Sequence, residues 1–281
     1  MGDVPGTIAD SLYTPVVGPW ADRKYRLLYY YADLFSTSMK GKWDKRVYVD
    51  LFACAGKARI RGTSRVVLTS SLLALSVSVP FDRYILCESQ PDPMDALRER
   101  IKSFPERDVR LVFGDCNENT ERLISAFPAH GPGTKVLAFC FVDPCRIRQI
   151  QFETIRRLSE RFVDFLILLP TGMDVNRNLS AYTRPNNGLM QNFLGHANWR
   201  ADLRERESRA ESVDLAVSQM FEKRMRSLGY DYGGVSDSVP VRRPENNLLL
   251  YRLMFFSRNA LGGTFWKNAR RGTDPQTSFD Y

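Results

Sequence analysis

The chain has 281 residues, 43% hydrophobic and 26% charged, which excludes disordered, fibrous and low-complexity classes and allows one full core with appended elements. Forty Lys and Arg against 32 Asp and Glu give a formal charge of +8, enough to attract a polyanion without identifying one. The first twenty residues lack the basic start and apolar run of a secretory signal, and no stretch nears the roughly 18 apolar residues of a membrane span.

Five cysteines, an odd number scattered along the chain, do not make the disulfide framework of a small secreted domain, so a cytoplasmic protein with reduced thiols is expected. Trp20–Ser38 reads as an amphipathic helix at the core edge, followed by a basic turn over Lys40–Lys45. Five short apolar runs come next: Arg46–Phe52, Arg83–Cys87, Val109–Phe113, Val136–Val142 and Val163–Leu169. Their Val, Ile, Leu and Phe content suits strands covered on both faces.

Helical spacing fills the intervals, over Arg65–Val79 with starts at Thr63 or Ser64, Met94–Phe104, Glu118–Phe127 and Phe152–Arg161. Alternation of this kind predicts an α/β fold with a doubly wound, mostly parallel sheet, whose right-handed crossovers bring all carboxyl strand ends to one edge. After the fifth run the pattern changes to a polar segment, Thr171–Trp199, then one long helix, Arg204–Leu228, stopped at Gly229. Asn246–Ser257 reads as a closing antiparallel strand. The expected organisation is an N-terminal helical extension (1–45), the α/β domain (46–258) and a C-terminal tail (259–281).

The strand ends carry the candidate chemistry. Asp50 leads into a small-residue loop, DLFACAGKARIRG, where a carboxylate and an unobstructed backbone suit a cofactor with a cationic amino-acid moiety; Gly56 serves either that approach or an ordinary turn. Glu88 closes the second strand as an acceptor for a ribose diol or as a surface acid before a helix. The interval from Asp50 to Glu88 is nearly twice the roughly 20 residues of a dinucleotide fold, which disfavours a nicotinamide cofactor.

Asp115 can bond an adenine amino group while Asn117 caps the next helix, or both can simply turn and cap. Asp143-Pro144 closes the fourth strand, where proline fixes the backbone and the carboxylate can orient an amine, or forms a common turn. Arg59, Arg61 and Arg65 flank one loop and Arg146 and Arg148 another, as nucleic-acid contacts or as solvated surface residues. Cys54, Cys87, Cys116 and Cys145 fall at or beyond strand ends, but without a CxxC pair no metal site is assigned. With only His130 and His196, and neither a nucleophile elbow nor a P-loop, hydrolase and nucleotide-triphosphatase classes are not supported.

In order along the chain, VGPW (Val17–Trp20), YVDLFACAGKAR, FGDCN, FVDP, LILLP (Leu166–Pro170), FLGHANW (Phe193–Trp199), LLYRLMFFSRN and GTFWKN (Gly263–Asn268) resemble a bacterial family, the three-Cys-motif partner proteins. The resemblance implies a Rossmann-like class I S-adenosylmethionine-dependent methyltransferase fold. It also implies association with a separate three-Cys-motif protein of radical-enzyme type.

Carried onto this chain, the resemblance makes Asp50, Gly56, Glu88 and Asp115 cofactor contacts, and it places Asp143 and Pro144 where amino-methylating relatives orient their substrate. Cys54-Ala55-Gly56 stands in place of the family's glycine-proline-glycine. Cys145 stands where nucleic-acid adenine methyltransferases of similar layout have a second proline followed by a stacking aromatic. The function expected is methyl transfer to a nucleic-acid base nitrogen, or a non-catalytic partner subunit supporting a radical-type enzyme.

Overall fold

Near-continuous apolar runs become buried parallel strands because both faces of the sheet must be covered. The structure, a computed structural model, describes residues 4–129, 131, 133–243 and 245–272, so His130 lies outside the described residues. The chain clusters into two units, the first formed by residues up to 141 with 161–163 and those from 264 onward, the second by 142–160 and 164–263.

The first unit contains, in chain order, β1 (Val16–Val17), α1 (Ala21–Met39), β2 (Lys45–Asp50), β3 (Lys57–Ile60), β4 (Val66–Leu68), α2 (Ser70–Leu75), β5 (Arg83–Glu88), α3 (Pro91–Ile101), β6 (Val109–Phe113), α4 (Thr120–Ser125) and β7 (Val136–Val142). β2 pairs in parallel with β5 on one side, Val47 opposite Arg83, and with β7 on the other, Val47 opposite Ala138; β6 adds to the far edge of β5. The chain therefore builds outward from β2 through β5 and β6, then returns to its other side. That reversal is the point where open α/β sheets bind ligands, outside the carboxyl ends of the strands.

α1 matches the expected N-terminal helix within a residue at each end and buries Tyr31 and Phe35, whose rings lie 4.7 and 5.9 Å from that of Phe139 on β7. Arg46 of β2 fastens it, donating from Nη1 to the Ser36 carbonyl at 2.7 Å while its Nε pairs with Asp82 at 3.0 Å. α3 begins three residues earlier than expected because Pro91 and Pro93 fit a first helical turn, where amide hydrogens have no helical partner.

The helix expected over Arg65–Val79 is mostly absent. Gly62 at φ +78° turns the chain instead, and Ala58 pairs with Val67 in an antiparallel hairpin, β3 with β4, leaving only Ser70–Leu75 helical. The β-branched Val66-Val67 pair favours the pleated state, and Thr63 and Ser64 sit in the turn rather than at a helix start. β1 joins this hairpin in parallel, Val16 opposite Arg59.

The second unit contains α5 (Phe152–Leu158), β8 (Val163–Leu169), α6 (Asn176–Tyr182), α7 (Leu189–Leu194), α8 (Trp199–Ser208), α9 (Val213–Ser227), β9 (Tyr232–Gly233), β10 (Val239–Arg242) and β11 (Leu249–Ser257); α10 (Ala260–Gly272) follows and belongs to the first unit from Thr264 onward. β11 is the expected antiparallel strand, with Met254 opposite Ile167 on β8 and Leu253 opposite Val239 on β10. It starts three residues late, because the Asn246 side chain accepts the Leu248 amide and Asn247 takes φ +53°.

The single helix expected over Arg204–Leu228 is two helices. Ala210 at φ +59° ends the first, and the Ser212 hydroxyl accepts the Leu215 amide to cap the second. The polar segment Thr171–Trp199 is not a loop but a π turn over Thr171–Val175 with two short helices, α6 and α7. The stretch from 259 onward, expected as a tail, carries α10, whose Trp266 is fully buried 6.3 Å from the Tyr31 ring. Among the described residues no helix is long and apolar enough to cross a membrane.

Candidate functional site

The strand-end residues of the first unit gather around the loop after β2. Asp50, the last residue of that strand, is wholly buried; its Oδ1 accepts the Phe52 amide and its Oδ2 the Tyr48 hydroxyl, each at 3.1 Å. Glu88 ends β5 and takes the same loop from the other side, Oε2 accepting the Cys54 amide at 2.9 Å while Oε1 accepts that of Gln90 at 2.8 Å.

Every step of the loop has a partner. Ala53 donates its amide to the Cys87 carbonyl at 2.8 Å and its carbonyl accepts the Ser71 hydroxyl at 3.0 Å. The Ala55 carbonyl accepts Arg100 Nη1 at 2.5 Å, and the Gly56 carbonyl the Thr69 amide at 2.8 Å. Gly56 stands at φ +81°, and a Cβ there would come within 2.8 Å of Leu72 Cγ, so this position requires glycine. Cys54 carries a positive φ of 53° without being glycine, a strained conformation of the kind that clusters at functional sites.

Asp115 lies beside Glu88, since the Gly114 amide donates to the Glu88 carbonyl at 3.0 Å. Its Oδ1 accepts both the amide and the side-chain nitrogen of Asn117, so the pair forms an Asx turn. Asn117 does not cap α4; that helix starts at Thr120, after Asn119. Asp50, Gly56, Glu88 and Asp115 are thus brought to one strand edge.

Fitted against a nucleoside cofactor with an amino-acid tail, the set is uneven. Each carboxylate oxygen of Glu88 accepts one amide and has a second lone pair, which suits a ribose diol, while Asp115 Oδ1 already accepts twice and leaves Oδ2 for an adenine amino group. Asp50 is wholly buried, and each of its oxygens already accepts a hydrogen bond.

In the second unit Asp143 is half-buried and Pro144 buried, while Cys145, Arg146 and Arg148 are exposed. Asp174 holds this segment in place: its Oδ2 accepts the Ile147 amide at 2.8 Å, and its Oδ1 accepts Asn178 Nδ2 at 2.9 Å and the Tyr182 hydroxyl at 3.0 Å. Burial, followed by the bond to the Asp174 carboxylate, pushes the Tyr182 hydroxyl up to about 12, opposed by Arg146 and Arg148.

These supports were missed in the sequence. Asp174, Asn178 and Tyr182 stand four residues apart, which puts them on one helical face, and that spacing was the available signal. Arg100 shares the buried face of α3 with Met94, Ala96 and Leu97, an arginine at a core position.

Thiol chemistry has little support at the strand ends. Burial pushes Cys87 up to about 12 and raises Cys116 and Cys140 as well, so these thiols stay protonated near neutral pH. Among the described residues no group of three His, Cys, Asp or Glu side chains is placed to hold a metal ion. Arg59 and Arg61 are exposed, and Arg65 pairs with Asp22 at 3.0 Å.

No protein-family model and no curated protein matches the sequence. Among solved structures, the chain is similar to protein LPL1258 of Legionella pneumophila, at 11% identity and a TM-score of 0.50, over 83% of this chain and 85% of that one. It also aligns with a provisionally assigned O-methyltransferase of Klebsiella pneumoniae (11% identity, TM-score 0.41, 86% and 90% covered). A third is M. jannaschii TYW2 in complex with AdoMet (11%, 0.34, 82% and 77%). The Legionella likeness bears on the fold alone, and the other two score too low to bear on either fold or function. What stands is an α/β protein with a mostly parallel central sheet.

Proposed function

We propose that the protein is a methyltransferase-like enzyme that transfers a methyl group from S-adenosylmethionine to a nucleic-acid base nitrogen. The observation that carries this reading is the convergence of three carboxylates, Asp50, Glu88 and Asp115, on the sheet edge where strand order reverses about β2. Glu88 would hold the ribose hydroxyls and Asp115 the adenine amino group, with Gly56 giving main-chain approach and Asp50 facing the cationic amino-acid end. When bound, the cofactor supplies an electrophilic methyl group. Asp143 and the Pro144 carbonyl would orient the acceptor amine, the Asp143 carboxylate taking up its proton, and Arg59, Arg61, Arg146 and Arg148 would meet phosphates.

The test is calorimetry with S-adenosylhomocysteine on the intact chain. Binding that is lost in Glu88→Ala supports the reading; no heat with the parent chain sinks it.

A second reading is favoured by one specific observation: Glu88 already spends an oxygen on each of two backbone amides, and each residue from Ala53 to Gly56 is hydrogen-bonded within the fold. In that reading the domain is a non-catalytic subunit for a three-Cys-motif protein of radical-enzyme type. Co-purification of such a protein with a chain that binds no S-adenosylhomocysteine would support it, and a partner-free chain in pull-downs would count against it.

A further inference from the structure

The arm Ile8–Val17 is pinned along its length. Lys57 Nζ donates to the Ile8 carbonyl and pairs with Asp10, both at 2.9 Å. Arg100, its side chain 3% exposed, holds Asp10 through Nε at 3.0 Å and Nη2 at 2.6 Å, the Tyr13 carbonyl at 3.0 Å and the Thr14 hydroxyl at 2.9 Å. Further on, the Arg59 and Arg61 amides donate to the carbonyls of Pro15 and Val17, each at 2.8 Å.

So fixed, the arm still exposes three large apolar side chains, Ile8 at 83%, Tyr13 at 47% and Val16 at 44%. These side chains are held on a fixed segment and are open to a partner. Val16 lies opposite Arg59 in register, so the two share a sheet face. Arg59 and Arg61 are exposed, and among the described residues neither has an acidic partner. The nearby acids are already matched, Asp10 by Lys57 and Arg100 and Asp22 by Arg65, which leaves the strip cationic.

We propose that this face binds single-stranded nucleic acid, with Arg59 and Arg61 on phosphates and Tyr13 stacking a base. The inference deepens the nucleic-acid part of the proposed function and rests on it. The charge balance selects a polyanion, and an exposed aromatic ring selects a strand whose bases are free, because a duplex hides base faces.

The experiment measures fluorescence anisotropy of a labelled thymidine oligomer of about 12 nucleotides, and of a duplex of equal length, over a salt series without added cofactor. Tyr13→Ala is expected to weaken single-strand binding about tenfold, while Tyr13→Phe, which keeps the ring, stays within about twofold of the parent. Arg59→Gln and Arg61→Gln should each lower the salt slope by about 0.7.

The proposal is overturned if the parent binds no oligomer at low salt, as a face built only for a protein would behave. It is overturned equally if Tyr13→Ala binds like the parent, or if Tyr13→Phe is as weak as Tyr13→Ala. A chain that binds S-adenosylhomocysteine but no oligomer overturns this inference alone. One that binds the oligomer through Tyr13 but no S-adenosylhomocysteine overturns the cofactor assignment alone.

Discussion

The loop after β2 and the segment after β7 each have an aspartate at the strand end, Asp50 as the last residue of β2 and Asp143 just past β7, yet they are built in opposite ways. Residues 53–56 are gripped from several sides, by Glu88, Cys87, Ser71, Thr69 and Arg100, with Ala53 and Ala55 fully buried. In residues 143–149 the Asp174 carboxylate accepts the Ile147 amide, and Cys145, Arg146 and Arg148 face solvent. The first arrangement fixes main chain in place for whatever approaches it. The second presents side chains to solvent.

The contrast can be broken most sharply at Gly56. Gly56→Val combines a positive φ with a clash at Leu72 and is expected to cost about 3 kcal/mol in urea unfolding; a loss below about 1 kcal/mol would mean the loop is not gripped at all. Asp174→Ala comes next, at about 2 kcal/mol, because it strands the Ile147 amide and the Tyr182 hydroxyl. Hydrogen exchange should then speed at Ile147 and leave 53–56 unchanged. Equal acceleration in both places would erase the distinction between the two regions.

Tyr182→Phe, which removes one bond to Asp174, is expected to cost about 1 kcal/mol. In the parent protein the Tyr182 hydroxyl is held protonated by the fold, so its contribution is full below about pH 10 and is lost as pH rises toward about 12. Ultraviolet titration should therefore show one fewer late-ionising tyrosine in Tyr182→Phe, with buried Tyr84 still ionising late in both proteins.

The smallest effect belongs to the arm. The Arg100 guanidinium holds the Asp10 carboxyl well below the usual carboxylate range, so its stabilisation is present above about pH 4 and fades as the solution is acidified further. Asp10→Asn should flatten the acid limb of the stability curve, and an unchanged limb would remove Asp10 from the clamp.

Strand positions were legible because a strand covered on both faces has no choice but to be apolar throughout, as in VLAFCFV over Val136–Val142. The hairpin before α2 was hidden because Val66–Leu68 runs directly into an apolar helix, and together they imitate one helical period. The break at Ala210 had no local signal, since alanine is a strong helix former; its left-handed turn is a choice of the tertiary structure.

At the site, the acids at strand ends were legible by type and place. What they bond to was not, because Glu88 accepts the amides of Cys54 and Gln90 and Asp115 that of Asn117, and every residue but proline carries an amide.

The position of β11 has a consequence for how the protein comes to be made. Its pairing with β8, as in Met254 with Ile167, closes a contact between residues far apart in sequence, and such contacts form late. On the ribosome β8 would be synthesised well before its antiparallel neighbour, leaving the Val163–Leu169 edge open to other chains in the interval. Slowing translation just before Leu249 should therefore increase aggregation of nascent chains, whereas a pause after Ser257 has emerged should not.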